Sequence, residues 1–346
     1  MSATPAALPD TSDLGGLGIR HVKRFWARTI AGRQRSTPEH DQPSEWVVDN
    51  TLLAGLRVGL RETFSFLFEN TPSLEQFEGW ILERNGGTVD PARIAYLNAA
   101  LSGEAGIADA PARHLSPDED VLPLTAEELA FWDENGYVIL HDAAPPGNCA
   151  AAARAIYEFI GVDLEKPETW YHGPQTGIWV PLLHHPALWA NRDSPRIYQA
   201  FRQLWNRRDL WVSVDQAGFN PPEKPGWQFP GPNLHFDVSL QLPVPFGVQG
   251  ILYLTDTAAD QGAFTCVPGF HRKIEAWLRS LPPGSDPRAQ DLTRLGAIPI
   301  AGRAGDLVIW HQALPHGASP NRSTRPRVVQ YIKMHPSQWE YTPQWR

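Results

Sequence analysis

Only two cysteines, Cys149 and Cys266, occur in 346 residues. They lie far apart and are too few for a disulfide scaffold or a thiolate zinc site. No stretch approaches the roughly 18 to 20 uninterrupted apolar residues that a spanning helix needs, so no membrane partner is expected. Lysine and arginine (30) are outnumbered by acids (38), and no basic cluster interleaves with aromatics. The electrostatic footprint of a nucleic-acid binder is therefore missing. The first residues lack a basic segment followed by an apolar one and carry Asp10 and Asp13. A secretory signal would carry such a segment and a transit peptide would avoid such acids, so a cytoplasmic protein is expected.

What is abundant is punctuation and indole: 33 prolines, 28 glycines and 14 tryptophans. Such a chain makes many short elements joined by shaped loops and disfavours long helical bundles. Residues 1 to 44 are polar, with disorder expected at the start and a solvated basic run from Arg20 to Arg35. Trp46 to Glu69, Ser73 to Glu83 and Pro91 to Leu101 carry helical periodicity. The first 120 residues therefore read as a helical N-terminal extension.

A second texture begins near 121. Thr125 and Glu128 form a capping box, the helix Ala126 to Glu134 stops at Asn135-Gly136, and Tyr137 to His141 reads as a strand. Helices are expected over Asn148 to Ile160 and Ser194 to Arg207, flanking an irregular Trp-rich stretch from Trp170 to Trp189. Beyond them lie strand-like runs at Leu210 to Phe219, Phe246 to Asp256, Phe264 to Val267, Gly305 to His311 and Arg327 to His335. Short strands without intervening helices predict an α+β protein with a mainly β core over 121 to 346, a sandwich or jelly roll.

Within that half stands Asn233-Leu234-His235-Phe236-Asp237. On a strand, His235 and Asp237 project to one side, and His316, after the strand ending in Trp310-His311 and a short turn, supplies a third ligand. Two imidazoles and one carboxylate on a face of an octahedral ion leave positions open, which suits ferrous iron that binds a cosubstrate and dioxygen together. Arg327, eleven positions after His316, can grip the distal carboxylate of a dicarboxylic cosubstrate through two parallel hydrogen bonds. Ser319 offers a hydroxyl donor. Arg325 competes, but Pro326 pushes it toward irregular backbone, so the strand-borne Arg327 is preferred.

The ordered series of motifs resembles the phytanoyl-CoA dioxygenase family. It runs from Leu124-Thr125 and Asn135-Gly136-Tyr137-Val138 through His235-Phe236-Asp237, Tyr253-Leu254-Thr255-Asp256 and Gly262-Ala263-Phe264. It continues through Val267-Pro268-Gly269-Phe270-His271 and Gly305-Asp306 to His316-Gly317, Asn321 and Arg327. The resemblance implies a double-stranded β-helix, Fe(II), 2-oxoglutarate as cosubstrate and O2, and it adds Gln216 and Asn220 as contacts to 2-oxoglutarate. The family's loop often has Ser where Phe270 stands here. Related halogenases have a small residue at the position of Asp237, so halogenation is disfavoured.

The expected reaction is hydroxylation of an unactivated C–H bond of a small metabolite, with release of succinate and CO2. Two alternatives stand beside it: a β-barrel binding protein without catalysis, and a cupin-like zinc or manganese enzyme that does not use 2-oxoglutarate. His184, His185 and His311 are assigned to structure, and His271 to the loop or the substrate. Trp170, Tyr171, Trp179, Trp227 and Phe229 are candidate pocket walls, although aromatics are core residues more often.

Overall fold

The computed structural model describes residues 7–33, 43–104, 106–107 and 121–342. The start expected to be disordered (1–6) and the domain boundary expected near 120 both lie outside the described residues. The chain packs as two units. One comprises the described parts of Met1–His114 with Arg207–Val214 and His335–Pro343, and the other comprises Leu115–Asn206 and Asp215–Met334.

Five helices build the first unit: α1 (Val22–Arg33), α2 (Pro43–Gly55), α3 (Leu60–Asn70), α4 (Leu74–Arg84) and α5 (Pro91–Ser102). The solvated basic run expected from Arg20 is instead α1, whose apolar positions three apart are sealed in the core. Ile19, Val22 and Phe25 are fully buried, while Arg24 and Arg28 pair with Glu45, and Arg28 also with Asp49. Periodicity from Trp46 to Glu69 predicts one helix; two form. Arg57 takes a left-handed φ of 53°, and the Glu62 carboxylate accepts from the Gly59 amide at 2.6 Å, starting a new helix where the old one stops.

The second unit carries α6 (Ala126–Asn135), α7 (Pro146–Ile160), α8 (Pro186–Arg192), α9 (Pro195–Trp205) and α10 (Ile274–Ser280). The predicted capping box is present: Glu128 N donates to Thr125 Oγ1 and Thr125 N to Glu128 Oε2. Gly136, in a left-handed conformation, closes α6. The Trp-rich stretch expected to be irregular contains both a two-residue strand and α8.

In chain order the strands are β1 (Tyr137–Leu140), β2 (Trp179–Val180), β3 (Leu210–Ser213, in the first unit), β4 (Ala217–Asn220) and β5 (Val248–Tyr253). They continue with β6 (Phe264–Cys266), β7 (Ile298–Ile300), β8 (Leu307–His311), β9 (His316–Gly317) and β10 (Arg327–Pro336). The run Leu210 to Phe219, read as one strand, is interrupted at 214–216, where the Asp215 carboxylate accepts from the Gln216 amide at 2.7 Å. Such a local bond bends the chain out of the ladder.

An antiparallel sheet in the order β1-β8-β5-β10-β4-β2 faces a smaller one, β7-β6-β9. Ile251, Tyr253, Val308 and Val329 of the larger sheet share a buried cluster with Phe264, Cys266 and Ile300 of the smaller. Two antiparallel sheets around one core form the layering of a jelly roll. Cys149 and Cys266 are both free and buried.

Candidate metal centre

His235 and His316 meet through the backbone. They form an isolated antiparallel bridge, with His235 N donating to His316 O at 2.9 Å and His316 N to His235 O at 3.0 Å. The metal motif was expected to be a strand with alternating side chains; only this one pair is bridged, and Asp237 follows in a bend. Close backbone approach makes the bridge possible. At Gly317 a Cβ would lie 2.6 Å from Asn233 O, so a larger residue beside the ligand would force the two segments apart.

Each imidazole is oriented by a local bond. His235 Nδ1 lies 2.7 Å from Asn233 O and His316 Nδ1 2.9 Å from Leu314 O. A carbonyl only accepts, so both Nδ1 atoms carry the proton and both Nε2 lone pairs face inward. His235 Nε2 is 3.3 Å from Asp237 Oδ1, and His316 Nε2 is 3.4 Å from Oδ2. All three ligand atoms lie within 4.8 Å of one another. Burial works against ionisation of Asp237, yet without a metal the two imidazoles can take a second proton at Nε2 and donate it to the carboxylate, which holds the carboxyl far below the ordinary carboxylate range. Burial opposes the charge on His235 too, and Asp237 overrides it and raises its pKa.

Two residues not singled out in the sequence hold this arrangement. Gln249 Nε2 donates to Asp237 Oδ2 at 3.1 Å. Arg288 donates to Phe236 O at 2.7 Å and Val238 O at 2.6 Å, bracing the backbone on either side of Asp237. Neither carries a motif; their roles depend on where the fold delivers them.

The triad opens into a cavity of about 110 Å³ that also reaches Arg327. Arg327 is completely buried, and among the described residues its Nε, Nη1 and Nη2 meet no acceptor in hydrogen-bonding geometry and no carboxylate; its polar neighbour is the Tyr331 hydroxyl. The neighbouring Tyr331 hydroxyl is pushed up by burial, with Arg327 opposing the shift. A buried guanidinium without a partner is costly unless an anion joins it. A nitrogen and carboxylate donor set open to a cavity, with an orphaned guanidinium in the same space, fits a divalent iron and a dicarboxylate together.

The other predicted contacts are elsewhere. The Ser319 hydroxyl donates to Ala263 O at 3.0 Å, and the Asn220 amide donates to Ser319 O at 3.1 Å. Neither Ser319, Asn220 nor Gln216 lines the cavity; at the first two, the polar group is used to tie loops to the sheet. Of the aromatic candidates, Trp179 alone lines it. Trp170 is buried with its indole N–H on Asp163 O, and Tyr171 packs on Trp227. His185 Nδ1 caps α8 by accepting from the Ala187 amide, and neither His271 nor His311 lines the cavity.

Comparison with known proteins finds the family described as phytanoyl-CoA dioxygenase over residues 132–329. A Dictyostelium discoideum protein assigned by name to the phytanoyl-CoA dioxygenases is 23% identical over 260 residues, covering 60% of this chain and 74% of its own length. Among solved structures, the non-haem α-ketoglutarate-dependent epimerase SnoN of nogalamycin biosynthesis is 19% identical. It covers 63% of this chain and 85% of that one, with a TM-score of 0.46. HygX from Streptomyces hygroscopicus, with nickel and 2-oxoglutarate bound, is 16% identical over 62% of this chain and 87% of that one, with a TM-score of 0.45.

Proposed function

The chain belongs to the phytanoyl-CoA dioxygenase family of iron- and 2-oxoglutarate-dependent oxygenases, and on that premise we propose that it hydroxylates an unactivated C–H bond of a small metabolite. The observation that carries this reading is Arg327, buried with no anionic partner among the described residues in the cavity that the His-Asp-His triad opens into. A guanidinium there matches the distal carboxylate of 2-oxoglutarate, a role that a plain binding barrel or a metalloenzyme without this cosubstrate would not require.

Each residue has a separable task. His235 Nε2, His316 Nε2 and an Asp237 oxygen hold the iron, and the Nδ1 protons parked on Asn233 O and Leu314 O keep both rings in the ligating tautomer. Gln249 and Arg288 keep Asp237 aimed inward. Bound beside 2-oxoglutarate, ferrous iron supplies the dioxygen activation that an unactivated C–H bond requires, with succinate and CO2 as coproducts. Arg327 fixes the cosubstrate from the far end, and Phe264 and Trp310, tilted rings with centroids 4.4 Å apart, wall the cavity and exclude water. Asp237 would supply a carboxylate ligand where related halogenases have a small residue, which supports hydroxylation over halogenation.

An anaerobic absorption titration with Fe(II) and 2-oxoglutarate tests the reading. A visible metal-to-cosubstrate band is expected in the wild type and its loss in Asp237→Ala. No band in the wild type would overturn the assignment and favour a binding barrel or another metal.

A further inference from the structure

Strand β10 carries more than Arg327. Side chains alternate along a strand, so Arg327, Val329, Tyr331 and Lys333 share one face; the first, third and fourth line the cavity, and Val329 joins the core beneath it. Ile332 pairs with Gly250 on β5, which sets Lys333 at the next rung, beside Gln249. Gln249 is the residue that touches Asp237. Lys333 therefore stands at the metal end of the strand, roughly 20 Å of backbone from Arg327 at ~3.3 Å per residue.

Asp215 lines the same end of the cavity. Its carboxylate accepts only the neighbouring Gln216 amide, and the adjacent Arg192 guanidinium is spent on the carbonyls of Leu183 and Asp215. Lys333 and Asp215 are close enough to feel each other's field, together with Arg192 and the like charge of Asp237. Among the described residues, however, the two form no ion pair with each other. One acid and one ammonium, not paired with each other, thus line a cavity that is also walled by the Trp179–Tyr331 ring pair, centroids 4.8 Å apart. The remaining lining cation, Arg327, is already matched to the cosubstrate.

We propose that Asp215 and Lys333 form the charged half of the substrate subsite, and that the substrate is a zwitterionic, amino-acid-like metabolite with its ammonium on Asp215 and its carboxylate on Lys333. Trp179 and Tyr331 hold its hydrocarbon portion. A nucleotide-bearing acyl thioester, with several phosphate charges, would instead meet one ammonium beside a carboxylate. This inference rests on the oxygenase reading for the reaction but not for the binding.

The test uses the Fe(II)- and 2-oxoglutarate-loaded full chain. L-Amino acids, their N-acetyl and methyl-ester forms, and acyl-CoA thioesters are compared by stimulated succinate release and by anaerobic calorimetry. At least one zwitterion is expected to bind and stimulate, with each blocked form weaker by about 10-fold or more, the loss expected for an unpaired charge-assisted contact. Lys333→Met should weaken the zwitterion about 10-fold and the 2-oxoglutarate titration not at all, and Lys333→Arg should recover most of the loss. Asp215→Asn should erase the penalty of N-acetylation. Stimulation by acyl thioesters alone, no zwitterion bound on the panel, or a weakened 2-oxoglutarate titration in Lys333→Met would each overturn the proposal. Zwitterion binding without succinate release would keep the subsite and sink the oxygenase reading.

Discussion

Two arginine sites in this chain, one half-buried and one fully buried, are opposites. In the helical unit, Arg28 pairs with Glu45 and Asp49, Arg24 bonds Glu45 at 2.6 Å, and the far side of Asp49 takes His21 at 2.9 Å. Every cation there has an anion, and the cluster joins α1 to α2. In the jelly roll, Arg327 is sealed more completely than Arg28, yet has no anionic partner among the described residues. Burying charge is tolerated when partners repay the desolvation. The first site therefore serves the fold, whereas the second is the one we propose to be reserved for a ligand. The same contrast separates Arg288, which donates to two carbonyls, from Lys333, which lines the cavity beside an unpaired acid.

The largest expected effect comes from the ion that completes the second site. Asp237→Ala should lower Fe(II)-dependent succinate formation by roughly 10³-fold or more, because the metal carries the difficult chemistry; steady-state assay with added iron measures it. Next comes a paired substitution aimed at the contrast itself. Arg28→Met should destabilise the chain by about 1 kcal/mol in urea unfolding, since it removes one of the two cations held by Glu45 and one of the two groups held by Asp49. Arg327→Met should leave the ligand-free protein as stable or more so, while weakening 2-oxoglutarate roughly 100-fold. If Arg327→Met destabilised the free protein as Arg28→Met does, the distinction between structural and ligand-directed arginines would be wrong.

The contrast was half legible in the sequence. His235, Asp237, His316 and Arg327 follow from residue type and order, because metal ligation and carboxylate recognition restrict which side chains serve. The strand pattern after 246 also survives, since alternating apolar residues have few ways to be buried. Ser319 and Asn220 illustrate the limit: hydroxyl and amide groups serve loops as readily as ligands, and only packing decides. The basic run at Arg20 misled because its charges mask Ile19, Val22 and Phe25, and because the acids that neutralise it, Glu45 and Asp49, lie on the next helix. Gln249, Arg288, Asp215 and Lys333 have no local signature at all. Their meaning arises from rungs and loops distant in the chain.

A smaller effect sharpens the contrast within the metal centre. Gln249→Ala removes a neutral donor from Asp237 without touching a ligand, so iron affinity should fall by about 10-fold, as for other groups that orient ligands. Competition with a chromophoric chelator measures it, and a loss as large as that of Asp237→Ala would mean that Gln249 does more than orient.

His311 tests a third way of burying a titratable group, by keeping it uncharged. Burial, reinforced by the charge of His271 whose ring centroid is 5.3 Å away, pushes His311 down to about 3 from 6.5. The folded state thus resists a proton that the unfolded chain accepts near 6.5. The corresponding stability is present in full above that pH, begins to fall as pH drops through it, and is lost progressively toward about 3. His271 shifts downward for the same leading reason, so its slope adds to that of His311 rather than cancelling it. Urea midpoints at about pH 7 and about pH 5 should therefore converge in His311→Phe relative to the wild type. Equal slopes in the two proteins would show that the ring is not held neutral by the fold, and that its neighbours accept its charge as Glu45 and Asp49 accept that of Arg28.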